Sequence, residues 1–312
     1  MEEIYKKLLF VGGKGGVGKS TTAAGIAFNA ANQGLQTLLV STDPAHNLGD
    51  ILHEKISSRI TRVSKYLSAI EIDAEKETDT YIASIRENMA NVVQVSMLEE
   101  VNRQLDIAKA SPGADEAALF DKIISIILEE GRRFDTIIFD TAPTGHTIRL
   151  LSLPELMGVW IDGLLEKREK TNRNYSQLLY DGKEVDDPIY ETLKNRQYRF
   201  RKVREIMLDP AQTGFVFVLN PERLAILETE KAIKILDKYQ LRVKSLVINK
   251  VLPAFADGKF LAERRSSEKL YIKQIENLFY KQNLYYVPLF SEDISTMRSL
   301  EKYSAYLVKG AK

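Results

Sequence analysis

From Gly13 to Ser20 the chain reads Gly-Lys-Gly-Gly-Val-Gly-Lys-Ser, the pattern G-x-x-x-x-G-K-[ST]. Glycines at these positions let the backbone wrap a phosphate with its N–H groups turned inward. A helix starting near Lys19 would aim the positive end of its dipole at the same anion. Gly13, Lys14, Gly15, Gly16, Val17, Gly18, Lys19, Ser20 and Thr21 are the expected nucleotide contacts. Lys19 would neutralise the β- and γ-phosphates, and Ser20 would ligate Mg²⁺. Two acids could complete phosphoryl transfer, which asks for positioning and charge more than covalent chemistry. Asp43, in Ser41-Thr42-Asp43-Pro44-Ala45-His46-Asn47-Leu48, could orient an attacking water or bind Mg²⁺ through water. Asp140 ends an apolar run, the Walker B place for a Mg²⁺ ligand. Asp43 and Asn47 could also do no more than cap the next helix.

These residues need a frame that brings them together. Lys7–Val11 and Thr37–Val40 are short apolar runs, with a helical pattern from Ser20 to Asn32 between them and Gly34 after it. That order is one βαβ unit, the building block of parallel sheets. Further strand candidates cover residues 69–72, 136–139, 215–219, 245–248 and 284–287. Each is followed by a polar residue or proline, and parallel sheets bind ligands at the carboxyl ends of their strands. Residues 75–131, broken at 111–113, and 156–209 read as helical without strand signals. The expected fold is α/β: a doubly wound, mainly parallel sheet of the P-loop NTPase type with an inserted helical subdomain. One ATPase domain would span residues 1–312, with the helical subdomain formed by about 75–131 and 151–210.

Composition narrows the function classes. The net charge of +1 gives no electrostatic case for nucleic acid, and the Lys- and Arg-rich stretch 195–204 reads as a solvated helix face. Cysteine is absent, which excludes disulfides, cysteine-bound zinc, iron–sulfur clusters and thiolate catalysis. The start Met1-Glu2-Glu3 is acidic where a signal peptide is basic, and no apolar run approaches the ~18 residues of a membrane span. A cytoplasmic location is expected.

Lys14 inside the loop makes the segment Lys-Gly-Gly-Val-Gly-Lys-Ser, which resembles the deviant Walker A of the signal-recognition, septum-positioning and nitrogenase iron-protein class. In that class the first lysine reaches the nucleotide of the facing subunit, so the resemblance implies a catalytic Lys14 and a homodimer. The segments Ser41–Leu48 and Phe139-Asp140-Thr141-Ala142-Pro143-Thr144-Gly145-His146-Thr147-Ile148-Arg149 resemble the two switches of the arsenical-pump ATPase family. That family includes the factors that deliver tail-anchored membrane proteins. Pro112-Gly113-Ala114-Asp115-Glu116 and Glu228-Thr229-Glu230 are similar to further family motifs.

The resemblance implies an ATP- and Mg²⁺-dependent ATPase in which Asp43 activates water and Asp140 serves the metal. It places His46, Asn47, Pro143, Gly145 and His146 in the switches, and Asn249 and Pro288 beside adenine. It also implies a client, the transmembrane helix of a tail-anchored protein, and a membrane receptor. Met89, Val93 and Met97 recur at helical spacing with Leu98 beside them, and Met157 and Trp160 belong to a second apolar set; together they could line the client groove or equally pack a core. The missing cysteines speak against the family's other role, the motor of a metalloid efflux system, because arsenite is sensed by thiolates. A general holdase is a third reading that the residues leave open.

Overall fold

Short apolar runs pair into one sheet, seen in a computed structural model that describes residues 5–43, 48–90, 98–110, 113–142, 145, 151, 153, 158, 161–170, 173 and 187–308. The strands are β1 (Leu8–Gly13), β2 (Thr37–Ser41), β3 (Thr61–Arg62), β4 (Leu67–Glu71), β5 (Thr136–Asp140), β6 (Thr213–Leu219), β7 (Ser245–Val251) and β8 (Asn283–Pro288). Their spatial order is β3-β4-β2-β5-β1-β6-β7-β8. All pairings are parallel except β3 with β4. After β1 the chain winds out to β2 and β4, returns through β5 to the flank of β1, and then winds the other way through β6, β7 and β8. That reversal makes the sheet doubly wound and sets β1 and β5 side by side at its turning point.

The sheet has two differently packed faces because successive side chains point to opposite sides. On one face Phe10 stacks between Phe139 and Phe215, with ring centroids 4.7 and 5.4 Å apart. The register demands this, since Phe10 sits opposite both. On the other face Leu9, Val11, Ile138, Val216 and Val218 form one buried cluster with residues of two helices, α1 (Lys19–Asn32) and the last helix (Met297–Val308). The Ala-rich face of α1 lets it lie close to that last helix. Asn29 Nδ2 donates to the Ser304 carbonyl at 2.7 Å, and Thr22 Oγ1 lies 2.7 Å from the Tyr303 hydroxyl.

Further helices, in chain order, are α2 (Leu48–Leu52), α3 (Ala74–Ala90), α4 (Leu98–Lys109), α5 (Ala114–Ser125), α6 (Pro188–Leu208), α7 (Arg223–Lys238) and α8 (Lys259–Leu278), and Met297–Val308 is α9. The described residues fall into two compact units. One lies within Met1–Asp73, Glu129–Arg149 and Met207–Lys312 and holds the sheet. The other lies within Ala74–Leu128 and Leu150–Ile206 and is helical. In the helical unit Asp187 caps α6, accepting from the Ile189 and Tyr190 N–H groups at 3.1 and 3.3 Å, with Pro188 at the first helical position. Arg168 grips the same carboxylate with two hydrogen bonds of 2.6 and 3.1 Å.

Several boundaries differ from the sequence reading. β3 has only two residues and gives no periodicity to read. β1 runs two residues past Val11 into the glycines, and β6 begins at Thr213. Asn249 does not end its strand: β7 continues to Val251, with a register shift between Ile248 and Val251. Pro288 is the last residue of β8, opposite Val251.

Candidate active site

The carboxyl ends of β1, β2 and β5 are tied together by hydrogen bonds to their carbonyls. Thr141 Oγ1 donates to the Val11 carbonyl at 2.8 Å, and the Thr42 N–H donates to the Asp140 carbonyl at 2.9 Å. This lacing sets Asp43 and Asp140, from strands that flank each other, beside the loop that follows β1.

That loop turns through glycines at positive φ, Gly16 at 80° and Gly18 at 96°. Gly18 is the residue before α1, and a Cβ on it would overlap the Asn249 amide nitrogen. That amide donates to the Val17 carbonyl at 2.8 Å. Lys250, itself at φ 58°, extends its ammonium to the Gly16 carbonyl at 3.2 Å. Two adjacent residues of β7 therefore brace the loop from outside. Inside it, Lys19 is buried and its ammonium donates to the Lys14 carbonyl at 3.3 Å. Thr22 fixes the first turn of α1 by donating to the Gly18 carbonyl at 2.8 Å.

The charges at the site are unequal. Burial pulls the Lys19 ammonium below the usual lysine range, while the Asp140 and Asp43 carboxylates oppose that shift. Asp140 is 1% exposed, and neither of its carboxylate oxygens has a hydrogen-bond partner among the described residues. Burial pushes its pKa up to about 7. The Ser20 hydroxyl and the Lys19 ammonium resist the rise. An orphaned buried carboxylate is expensive unless something charged completes it. Hard oxygen donors, one hydroxyl and one or two carboxylates beside a phosphate loop, are the set that Mg²⁺ takes together with nucleotide phosphates. Ser20, Asp140 and Asp43 fit that ion.

Lys14 is partly exposed at the rim, its ammonium 3.9 Å from Glu228 of α7. Glu71, at the end of β4, accepts from the Leu48 and Gly49 N–H groups at 2.9 and 3.2 Å and so holds the start of α2, where the segment Ser41–Leu48 ends. Sequence reasoning missed Glu71, Lys250 and Tyr303 as supports of the site. An acid inside the apolar run Leu67–Ile72 was the signal for Glu71. Neither Lys250 nor Tyr303 belongs to a local pattern.

The structure thus brings Lys19, Ser20, Asp43, Asp140 and Asn249 together around one loop. His46, Asn47, Pro143 and His146 lie outside the described residues. Gly145 is exposed and helical. Of the groove candidates, Val93, Met97, Met157 and Trp160 also lie outside the described residues, and Met89 and Leu98 are described only as backbone of α3 and α4. Ile161, an apolar neighbour of that set, is buried as a core residue would be.

Residues 6–309 match the profile of the anion-transporting ATPase family. A candidate arsenical pump-driving ATPase 2 of Aquifex aeolicus is 34% identical over 97% of this chain and 100% of its own. The ATPase ASNA1 homolog 1 of Paramecium tetraurelia is 33% identical over 99% of this chain and 94% of its own. The ATPase get3 of Pyrenophora tritici-repentis is 34% identical over 96% of this chain and 91% of its own.

Proposed function

The chain belongs to the anion-transporting ATPase family and hydrolyses ATP, and we propose that it works as a Mg²⁺-dependent homodimer that shields and delivers the C-terminal transmembrane helix of tail-anchored membrane proteins. The observation that carries this reading is the end-to-end likeness to ATPases named get3 and ASNA1, in a chain with no cysteine to sense a metalloid.

The proposed roles follow from charge and position. The loop N–H groups and Lys19 bind the phosphates, with Thr21 behind them, while Asn249 and Pro288 flank the adenine. Ser20 and Asp140 would hold Mg²⁺, with Asp43 bound to it through water or orienting the attacking water. The ion, when bound, supplies charge neutralisation at the transferring phosphoryl group. Lys14 reaches across the dimer to the partner's nucleotide. The switch residues His46, Asn47, Pro143, Gly145 and His146 respond to the γ-phosphate and bias a two-state element. The helical subdomain, about residues 75–131 and 151–210, closes with its partner into an apolar groove lined by Met89, Val93, Met97, Leu98, Met157 and Trp160. Hydrolysis then opens the groove in the cytosol, beside a membrane receptor.

The likeness to an arsenical pump-driving ATPase favours a second reading, the motor of a metalloid efflux system. One experiment separates the two. The chain is co-expressed with a tagged protein that ends in a single transmembrane helix, and the pair is run on size-exclusion chromatography without detergent. A soluble complex that is lost when Met97 or Leu98 becomes Asp supports targeting. An aggregated client, together with ATP turnover that rises with arsenite or antimonite, overturns it in favour of the pump.

A further inference from the structure

A regular strand sends neighbouring side chains to opposite faces. Asn249 and Lys250 are neighbours in β7, yet both reach the phosphate loop, Asn249 at the Val17 carbonyl and Lys250 at the Gly16 carbonyl, 2.8 and 3.2 Å away. The strand register explains how. From Ile248 to Val251 the chain advances three residues in β7, while β8 beside it advances two, from Tyr286 to Pro288. The extra residue makes a β-bulge, a feature that re-aims side chains beside active sites. Lys250 stands in that bulge at φ 58°, in the left-handed region that a β-carbon disfavours.

Such a conformation persists only where its surroundings fix it. Just past the bulge they do. The Leu289 N–H donates to the Val251 carbonyl at 2.7 Å, and the Leu252 N–H donates to the buried Glu268 carboxylate at 2.9 Å. The loop itself is open where Lys250 meets it, since a Cβ on Gly15 or Gly16 would have no neighbour within 4 Å among the described residues. Orientation of its peptides therefore falls to hydrogen bonds. A trans peptide sets its C=O and N–H on opposite sides. Holding the Gly16 carbonyl toward Lys250 turns the Val17 N–H the other way, and Asn249 does the same for the Gly18 N–H through the Val17 carbonyl.

We propose that Lys250 is a positioning residue for ATP: the bulge of β7 aims its ammonium at the Gly16 carbonyl, which latches the Gly16–Val17 peptide with its N–H toward the phosphates. This role rests on reading residues 13–20 as the phosphate site. With Asn249 latching the next peptide, two consecutive N–H groups are preset for the anion before it arrives, and preorganised donors bind more tightly than donors that must first turn.

The variants Lys250→Gly and Lys250→Arg test it in the full chain, by ADP calorimetry, steady-state ATPase kinetics and thermal melts. Lys250→Gly accepts the left-handed backbone and removes the ammonium. It should bind ADP about tenfold more weakly, on the scale of one lost charge-assisted hydrogen bond. KM for ATP should rise by a similar factor with kcat within about threefold, because the latch serves ground and transition states alike. The nucleotide-free melting temperature of Lys250→Gly should equal or exceed the parent's, since glycine relieves the backbone. Lys250→Arg keeps a cation for a single carbonyl and should bind ADP within about threefold of the parent. A parent chain that binds no ADP would overturn the phosphate-site reading and the latch with it. If the parent binds ADP and Lys250→Gly binds it equally well, or Lys250→Arg is as weak as Lys250→Gly, the latch alone is overturned. A Lys250→Gly chain that melts lower and loses kcat rather than affinity also overturns it, because the residue then supports the fold and not the phosphates.

Discussion

Asn249 and Gly18 occupy one space: the asparagine amide that holds the Val17 carbonyl at 2.8 Å stands where a side chain on Gly18 would begin. Gly18 also sits at φ 96°, which a β-carbon disfavours. The two residues are 231 positions apart, so the loop's shape depends on β7 as much as on its own glycines. Gly18→Ala should therefore both strain the backbone and displace Asn249. Asn249→Ala should leave the Val17 carbonyl unpaired, which costs about 1–3 kcal/mol. A fluorescent ATP analogue should bind about tenfold more weakly or worse to either variant, and binding within twofold of the parent would count against the brace.

How far this site could be read from sequence follows from distance along the chain. The phosphate loop, Asp43 and Asp140 were legible because each is a local string of residues whose types suffice: glycines before a lysine, an acid after an apolar run. The sheet was legible for the same reason, since buried parallel strands read as apolar runs. The supports were not. The resemblance marks Asn249 as an expected neighbour of adenine, but its hold on Val17 exists only once β7 and the loop are side by side. Tyr303 reaches Thr22 across 281 positions, and nothing around Tyr303 marks it. β3 has two residues, and two residues carry no period.

Gly25 tests how tightly the loop's helix is held. A Cβ there would sit 3.1 Å from Tyr303 Cδ1 and 3.2 Å from Leu307 Cδ1, on a helix pair that packs through small residues. Gly25→Val adds two methyl groups more against buried Tyr303. Overpacking of this kind costs about 1–3 kcal/mol, read as a lowered urea midpoint. Tyr303→Phe removes only one hydroxyl contact, since Thr22 keeps its bond to Gly18, and should cost about 1 kcal/mol. If Tyr303→Phe destabilises more than Gly25→Val, the close approach of α1 and α9 is not the dominant constraint.

Asp140 should show a trade between stability and function. Its carboxylate is buried, and both oxygens lack partners among the described residues. Asp140→Asn keeps the shape and removes the unpaired charge. Above pH 7, where Asp140 is ionised, the nucleotide-free protein should then gain about 1 kcal/mol or more in a denaturant melt, because the burial penalty on the carboxylate outweighs the attraction of Lys19. The same change should abolish the added stabilisation that Mg²⁺ with ATP gives the parent chain over ATP alone. A variant that is no more stable than the parent, yet still stabilised by Mg²⁺, would remove Asp140 from the metal site.

Lys14 separates a structural ion pair from a catalytic cation. Its ammonium stands 3.9 Å from Glu228, with both side chains about a third exposed. A pair that long and that wet is worth well under ~1 kcal/mol, so Lys14→Ala and Glu228→Gln should leave the melting temperature nearly unchanged. Turnover should respond differently if Lys14 acts across the dimer as a finger does. A cation delivered to the transferring phosphoryl group is worth roughly 10³-fold or more in rate. Lys14→Ala should lose most of the ATPase activity while one nucleotide still binds per chain. Glu228→Gln, which only releases Lys14 from its resting partner, should keep the activity or raise it. Mixing Lys14→Ala chains with chains disabled at Lys19 adds the deciding result. In each mixed dimer the intact phosphate loop belongs to the Lys14→Ala chain and the intact Lys14 to its partner. Activity recovered above that of either variant alone places Lys14 in the neighbouring subunit's site, whereas no recovery confines its action to its own chain.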